Sequence, residues 1–164
     1  MRTWLLAPML ALSAIALADR PITITLLHSN DLHAHIEPTK IKGKTYGGYA
    51  RQATLIKKFQ ATEPNVMILS GGDTFQGTLY FNTYEGLADL AFMNNVGYQA
   101  MAVGNHEFDR GPKTLGAFVD HSVFPVLSAN LDVSGEPALS RVKDSTVITV
   151  GGEKFGIVGA KSFL

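Results

Sequence analysis

Three short polar segments carry most of the side chains in this sequence that can do chemistry. They are SNDLH (29–33), SGGDTFQG (70–77) and GNHEFD (104–109), and each follows an apolar run. The segments offer carboxylates, imidazoles and an amide, and the chain contains no cysteine. Oxygen and nitrogen donors of this kind, without thiolates, suit zinc, manganese or iron. The sequence therefore predicts a divalent-metal site.

The spacing of these donors fits a pair of ions. Asp31 and His33 are two residues apart and can face one ion in an extended loop. Asp73 is a carboxylate that can bridge two ions, and Asn105 offers a neutral amide oxygen. Two ions roughly 3.5–4 Å apart would clamp a phosphate and activate water for in-line attack. We therefore predict two divalent ions as cofactors, zinc, manganese or similar, with the metal ligands Asp31, His33, Asp73 and Asn105.

The third segment also contains a candidate catalytic pair. His106 directly follows Asn105, so an amide that faces a metal leaves the imidazole to point elsewhere, toward the leaving group. An imidazolium there can stabilise transition-state charge or protonate the leaving oxygen. Asp109, three residues further on, can orient the ring, and we expect Glu107 to support the turn. Because Asp and Asn are also ordinary turn formers, the prediction depends on three such segments occurring in succession.

The elements that position these segments alternate between strand and helix. The pattern predicts strands over 21–27, 66–70, 100–103 and 124–131, helices within 47–64, 84–98 and 113–121, and a hairpin within 146–160. The first helix should stop before Pro64, and Gly97 should lie just past the end of the second. This order indicates an α/β fold with a mainly parallel sheet and later antiparallel strands. Loops at the carboxyl ends of neighbouring parallel strands line one crevice. The topology should therefore gather the three segments at one place.

Composition and the N-terminus limit the class of protein. The 164 residues are enough for one domain with a core, and the formal net charge of zero gives no indication of a nucleic-acid partner. Residues 1–18 have a basic residue near the start, continue with an apolar stretch and end in small residues that fit a cleavage site, which is typical of a secretory signal peptide. The alternative is an N-terminal anchor. We predict a periplasmic or secreted protein with no stable membrane span after cleavage.

Four motifs in this order, NDLHAHIEP, SGGDTFQGT, GNHEFDRGP and FPVLSANL, resemble the secreted bacterial 5′-nucleotidase family, part of the calcineurin-like metallophosphoesterase superfamily. The resemblance runs from about Ile22 to the C-terminus. It implies a metallophosphoesterase-type α/β sandwich and hydrolysis of nucleoside 5′-phosphates, with a cyclic-nucleotide or nucleotide-sugar phosphodiesterase as an alternative. It also implies particular roles: one metal on Asp31 and His33, a bridging Asp73, a second metal on Asn105, and the dyad His106 and Asp109.

The chain departs from that family in its length. The family's catalytic domain supplies further histidine ligands from later loops, and a separate C-terminal domain holds the nucleoside base. We therefore expect residues 19–164 to be the N-terminal half of a catalytic domain, as a fragment or a truncated gene product, with the missing C-terminal half as a partner. Such a half would leave a sheet edge and a core face uncovered. The alternative is a non-catalytic exported module that binds metal or phosphate.

Overall fold

The computed structural model describes residues 21–161, so the predicted signal peptide lies outside the described residues. The strands of this part are β1 (Thr25–Ser29), β2 (Thr39–Ile41), β3 (Lys44–Tyr46), β4 (Val66–Ser70), β5 (Ala100–Ala102), β6 (Val126–Leu127), β7 (Ser145–Val150) and β8 (Glu153–Val158). Its α-helices are α1 (Tyr49–Thr62), α2 (Leu79–Tyr84), α3 (Leu87–Val96) and α4 (Pro112–His121). None of these helices is both long enough and apolar enough to cross a membrane.

The main sheet has the strand order β1-β4-β5-β6, and every neighbouring pair is parallel. Each crossover therefore moves in the same direction, and right-handed crossovers then place their helices on one face. Helix α3 accordingly contacts both α1 and α4. The predicted α/β fold with a mainly parallel sheet is confirmed. The predicted hairpin around Gly151 and Gly152 forms the antiparallel pair β7-β8.

The core lies between the main sheet and these helices. Its fully buried side chains include Phe75, Phe118, Met93, Met101 and Leu115. Burial of a side chain of this size contributes about 1.5–3 kcal/mol. Phe75 belongs to the loop after β4, and its ring lies edge-on to that of Phe118 with 5.3 Å between centroids. The loop that carries Asp73 is therefore anchored in the core two residues later.

The helix predicted over 84–98 begins at Leu87 in the structure, and the pattern did not predict α2, which precedes it. The break between the two helices lies at Glu85 and Gly86, which have left-handed φ angles of 50° and 88°. A β-carbon on Gly86 would collide with the ring of Phe75, so the break lets the backbone cover that ring. At the other end, Gly97 ends α3 with a φ of 85°, and the predicted C-terminal glycine is confirmed.

Strand pairing, rather than hydrophobicity alone, sets the strand bounds. The first strand was expected over 21–27, but β1 covers the five residues that pair in register with all of β4. The strand expected over 124–131 shortens to the two residues of β6, because only these pair with β5. The small β2-β3 hairpin has mostly exposed residues and no apolar alternation, and the sequence pattern did not predict it.

Candidate active site

Three loops at the carboxyl edge of the main sheet carry the predicted site residues. They are the first loop (30–38, after β1), the second loop (71–78, after β4) and the third loop (103–111, after β5). Main-chain hydrogen bonds join the first two. The Asp31 N–H donates to the Gly72 carbonyl at 3.0 Å, and the His33 N–H donates to the Asp73 carbonyl at 3.2 Å. The β1-β4 ladder thus continues into the loops and fixes their separation.

Three of the predicted ligands have left-handed backbone conformations. The φ angles are 52° for Asp31, 47° for His33 and 52° for Asp73. Such angles are uncommon for residues with side chains and cost of order 1–3 kcal/mol each. The surrounding hydrogen bonds must offset that cost. Strained backbone of this kind clusters at ligand clamps and active sites.

His33, Asp73 and His106 form a cluster of potential metal ligands. Their ligand atoms all lie within 4.8 Å of one another. The two imidazole centroids are 5.0 Å apart, with the ring planes at 80°. Ligand atoms on opposite sides of one cation are about 4.2 Å apart, twice a typical zinc–nitrogen distance. A small movement therefore suffices to place His33 and Asp73 around one ion with the ring of His106 beside it.

A main-chain contact determines how His33 faces this cluster. Its Nδ1 lies 2.9 Å from the carbonyl oxygen of Phe75. A carbonyl only accepts, so Nδ1 carries the proton of the neutral ring and Nε2 presents a lone pair. That Nε2 lies 3.6 Å from Oδ1 of Asp31. Two acceptors that face each other at this distance fit a cation between them, so this donor pair is chemically suited to a divalent metal.

Asp31 lies beside the three clustered side chains, and Asn105 directly precedes one of them in the chain. Asp31 reaches the cluster through His33, and its side chain is 54% exposed. Asn105 immediately precedes the short 3₁₀ turn that contains His106. Asp73 joins the second and third loops, because its Oδ1 accepts the N–H of His106 at 3.0 Å. The ligand roles of the four residues stay predictions.

The side chains of His106 and Asp109 meet within the third loop. His106 Nδ1 lies 2.8 Å from Oδ2 of Asp109, and the same oxygen accepts a hydrogen bond from Nε2 of Gln76 at 2.8 Å. The hydrogen bond between the pair raises the pKa of His106 and lowers the pKa of Asp109. Asp109 therefore holds the ring and leaves Nε2 of His106 free. Gln76 was not predicted, because the sequence does not reveal that it crosses from the second loop.

Glu107 is the main feature that sequence reasoning underestimated. It is fully buried, and its carboxylate accepts four backbone hydrogen bonds. Oε1 accepts from the N–H groups of Thr74 and Phe75 at 2.7 and 3.2 Å, and Oε2 accepts from Asp73 and Gly104 at 3.0 and 2.7 Å. Burial raises the pKa of Glu107, whereas these N–H groups oppose that rise. Glu107 therefore joins two loops rather than supporting one turn.

Two glycines allow the second and third loops to come this close. A β-carbon on Gly72 would lie 2.5 Å from the nitrogen of Gly104, and one on Gly104 would lie 2.5 Å from the nitrogen of Asp73. Both distances are shorter than a van der Waals contact, so neither position has room for a side chain. Gly72 and Gly104 are a sequence signal that could have indicated this close approach, although they do not identify Glu107 as the group between the loops.

An open groove of 790 Å³ adjoins the cluster at Asp31. Tyr49 and Leu55 of α1 give it apolar walls, and Arg51 and Lys58 of the same helix bring positive charge. The groove therefore combines open space and positive charge next to the predicted ligands.

Known proteins share this fold. A family model described as calcineurin-like phosphoesterase matches residues 24–162. The chain therefore belongs to the calcineurin-like phosphoesterase family, and the expected family is confirmed. Members of this family use divalent metals.

Several similar proteins bear the name 5′-nucleotidase. The 5′-nucleotidase of Diplobatis ommata is 44% identical over 151 residues, and the snake venom 5′-nucleotidase of Gloydius brevicauda is 41% identical over 157 residues. Among solved structures, the 5′-nucleotidase precursor from Thermus thermophilus is 47% identical, with a TM-score of 0.82.

These matches cover most of this chain but a small share of each relative. They include 87% and 90% of this chain, against 26% of the Diplobatis protein and 27% of the Gloydius protein. For the Thermus structure the shares are 85% of this chain and 28% of that one. The chain thus spans about a quarter of the length of the proteins it matches.

Proposed function

We propose that the protein hydrolyses phosphate monoesters of nucleotides and that its three loops supply metal ligands and a proton donor for that reaction. The observation that carries the proposal is the convergence of His33, Asp73 and His106 within 4.8 Å. The similarity to proteins named 5′-nucleotidases supports nucleoside 5′-phosphates as the substrate class.

The donor set fits divalent cations, because it combines carboxylates with an imidazole whose Nε2 lone pair faces the Asp31 carboxylate. We assign Asp31, His33 and Asp73 to one cation and Asp73 with Asn105 to a second. Bound divalent cations would supply positive charge to the phosphate oxygens and to the attacking water.

His106 acts as the proton donor in this proposal. Asp109 holds Nδ1, so the proton that moves is the one on Nε2. Water attacks phosphorus and gives up one proton, the bond from phosphorus to the 5′ oxygen breaks, and that oxygen takes the Nε2 proton as it leaves. The proton that the water gave up returns through solvent to Nε2 of His106. The products are a nucleoside and inorganic phosphate. The negative charge of Asp109 stabilises the imidazolium until the transfer occurs.

Phosphate release from AMP with added Mn²⁺ or Co²⁺ tests this proposal. We expect metal-dependent release that falls about 10²–10⁴-fold in His106→Ala, because that variant lacks the proton donor. His121→Ala is the matched control, since the ring of His121 bonds within α4 to the Ala117 carbonyl. Asp73→Asn should weaken metal binding in a calorimetric titration.

Each other outcome of that assay would contradict the proposal. Metal binding without phosphate release would contradict turnover by this chain and favour a metal-binding module or an incomplete catalytic half. Cleavage of cyclic AMP or a nucleotide sugar in place of AMP would favour the phosphodiesterase alternative. Equal rates of phosphate release in His106→Ala and the wild type would show that His106 does not donate the proton.

We also propose that the protein is exported. The signal-like composition of residues 1–18 supports this, as do the words "precursor" and "venom" in the names of two similar proteins. N-terminal sequencing of the mature protein should find Asp19 as its first residue, directly after the predicted cleavage site. A retained Met1 would contradict cleavage.

A further inference from the structure

We infer that Glu107 is a positioning residue that holds Asp73 in place before a metal binds. The inference rests on the proposed function, because Asp73 is the carboxylate assigned to both cations. Glu107 itself is fully buried between the loops and cannot serve as a ligand from that position. Its effect on a metal must therefore act through the groups it binds.

The first step of this argument is the convergence of N–H groups. Asp73, Thr74 and Phe75 are consecutive, and all three direct their N–H groups at the Glu107 carboxylate. Successive N–H groups that converge in this way form an anion-binding nest. Here the anion is a side chain of the protein, so the nest is already filled.

The second step is the link to the third loop. Oε2 of Glu107 accepts from Asp73 at 3.0 Å and from Gly104 at 2.7 Å, so a single atom joins the two loops. Oδ1 of Asp73 accepts the N–H of His106 at 3.0 Å. Asp73 is thus held at its backbone by Glu107 and at its side chain by the third loop. The hydrogen bond to its N–H group and the hydrogen bond to its side chain together restrain its left-handed backbone.

The third step concerns the alternative partners of these N–H groups. A left-handed residue after a strand cannot continue the ladder of backbone hydrogen bonds to both neighbouring strands. Its N–H group then needs another acceptor, because a buried N–H group without an acceptor is costly. The carboxylate supplies two acceptor oxygens for four donors. An amide of the same shape has one oxygen, and its NH₂ group would face two of the N–H donors. Glu107→Gln therefore keeps the volume while depriving two of the four N–H groups of their acceptor.

A Co²⁺ titration of Glu107→Gln tests the inference. We expect the affinity for Co²⁺ to fall at least about 10-fold relative to the wild type. The visible absorption of any bound cobalt should also change, because a displaced Asp73 alters the ligand geometry. Glu136→Gln is the matched control, since Glu136 accepts one backbone N–H, from Ala138 at 3.4 Å, in a turn outside the three loops.

Hydrogen exchange of the metal-free wild type gives a second measurement that does not depend on the variant folding. We expect the amides of Asp73, Thr74, Phe75 and Gly104 to exchange as slowly as those of β4. Fast exchange that becomes slow only when metal is added would overturn the inference, because the metal would then order the loops.

The two proposals fail in different ways. A wild type that binds no Co²⁺ would overturn the proposed function, while slow exchange at the four amides would still support the role of Glu107. Equal affinity and equal spectra in the wild type and Glu107→Gln would overturn the inference and leave the proposed function intact.

Discussion

Glu107 and Asp89 are both fully buried carboxylates, but they lie in different regions and have different partners. Glu107 lies among the loops at the sheet edge, and four backbone N–H groups satisfy both of its oxygens. Asp89 lies in α3, where Oδ1 accepts the hydroxyl of Tyr49 and Oδ2 has no hydrogen-bond partner.

The difference shows that burial alone does not reveal what a carboxylate contributes. Burial raises the pKa of Glu107, but four charge-assisted hydrogen bonds oppose that rise and link two loops through this side chain. Asp89 has the hydroxyl of Tyr49 as its main compensating donor, and burial raises its pKa to about 6. One carboxylate therefore stabilises the loops around the candidate site, and the other reduces stability once it is ionised.

Replacing each carboxylate with the corresponding amide should change the free energy of unfolding in opposite directions, with the larger effect at Glu107. Glu107→Gln should lower the free energy of unfolding by about 4 kcal/mol, because two buried N–H groups lose their acceptor at about 1–3 kcal/mol each. Urea unfolding followed by circular dichroism measures this. A loss below about 1 kcal/mol, the net value of one ordinary hydrogen bond, would show that the loops find other partners.

Asp89 should make the protein less stable as the pH rises from acid to neutral. Its pKa is 3.8 in an unfolded chain and about 6 in the fold, so the folded state keeps a proton that the unfolded state loses between these values. The contribution of Asp89 to the free energy of unfolding should therefore fall across this window by about 3 kcal/mol and stay level above it. Asp89→Asn should remove this fall and be at least as stable as the wild type near neutral pH.

Urea unfolding of both proteins across that window measures the effect as a difference between two pH profiles. Asp120→Asn is the control, since Asp120 is 60% exposed and pairs with Arg141 at the surface. Parallel profiles for the wild type and Asp89→Asn would contradict the proposed effect of Asp89. A profile for Asp120→Asn that departs from the wild type would point to a general charge effect.

Much of the fold was predictable because the strand and helix signals are local. The periodicity of 47–64 and the apolar runs that became β4 and β5 indicated their elements directly, and the alternation of elements indicated a parallel sheet. The strand ends and the break at Glu85 and Gly86 were not predictable. They depend on pairing partners and on the ring of Phe75, which comes from a distant part of the sequence.

For the site, the sequence indicated which side chains meet but not what holds them. The topology rule placed Asp31, Asp73 and His106 in neighbouring loops, since it needs only the strand order. Gln76 and Glu107 were not predicted to hold the site together, because each forms hydrogen bonds with a loop other than its own. A hydrogen bond that crosses between loops leaves no spacing pattern in the sequence.

The left-handed conformations of Asp31, His33 and Asp73 have a consequence for substitutions that aim to relax the backbone. Glycine adopts such angles without steric cost, and the chain has it at Gly72, which has a φ of 94°. Glycine at any of the other three positions would relieve backbone strain, but it would raise the conformational entropy of the unfolded chain and remove a predicted ligand. At these positions a more relaxed backbone is tied to the loss of a side chain that the proposed reaction uses.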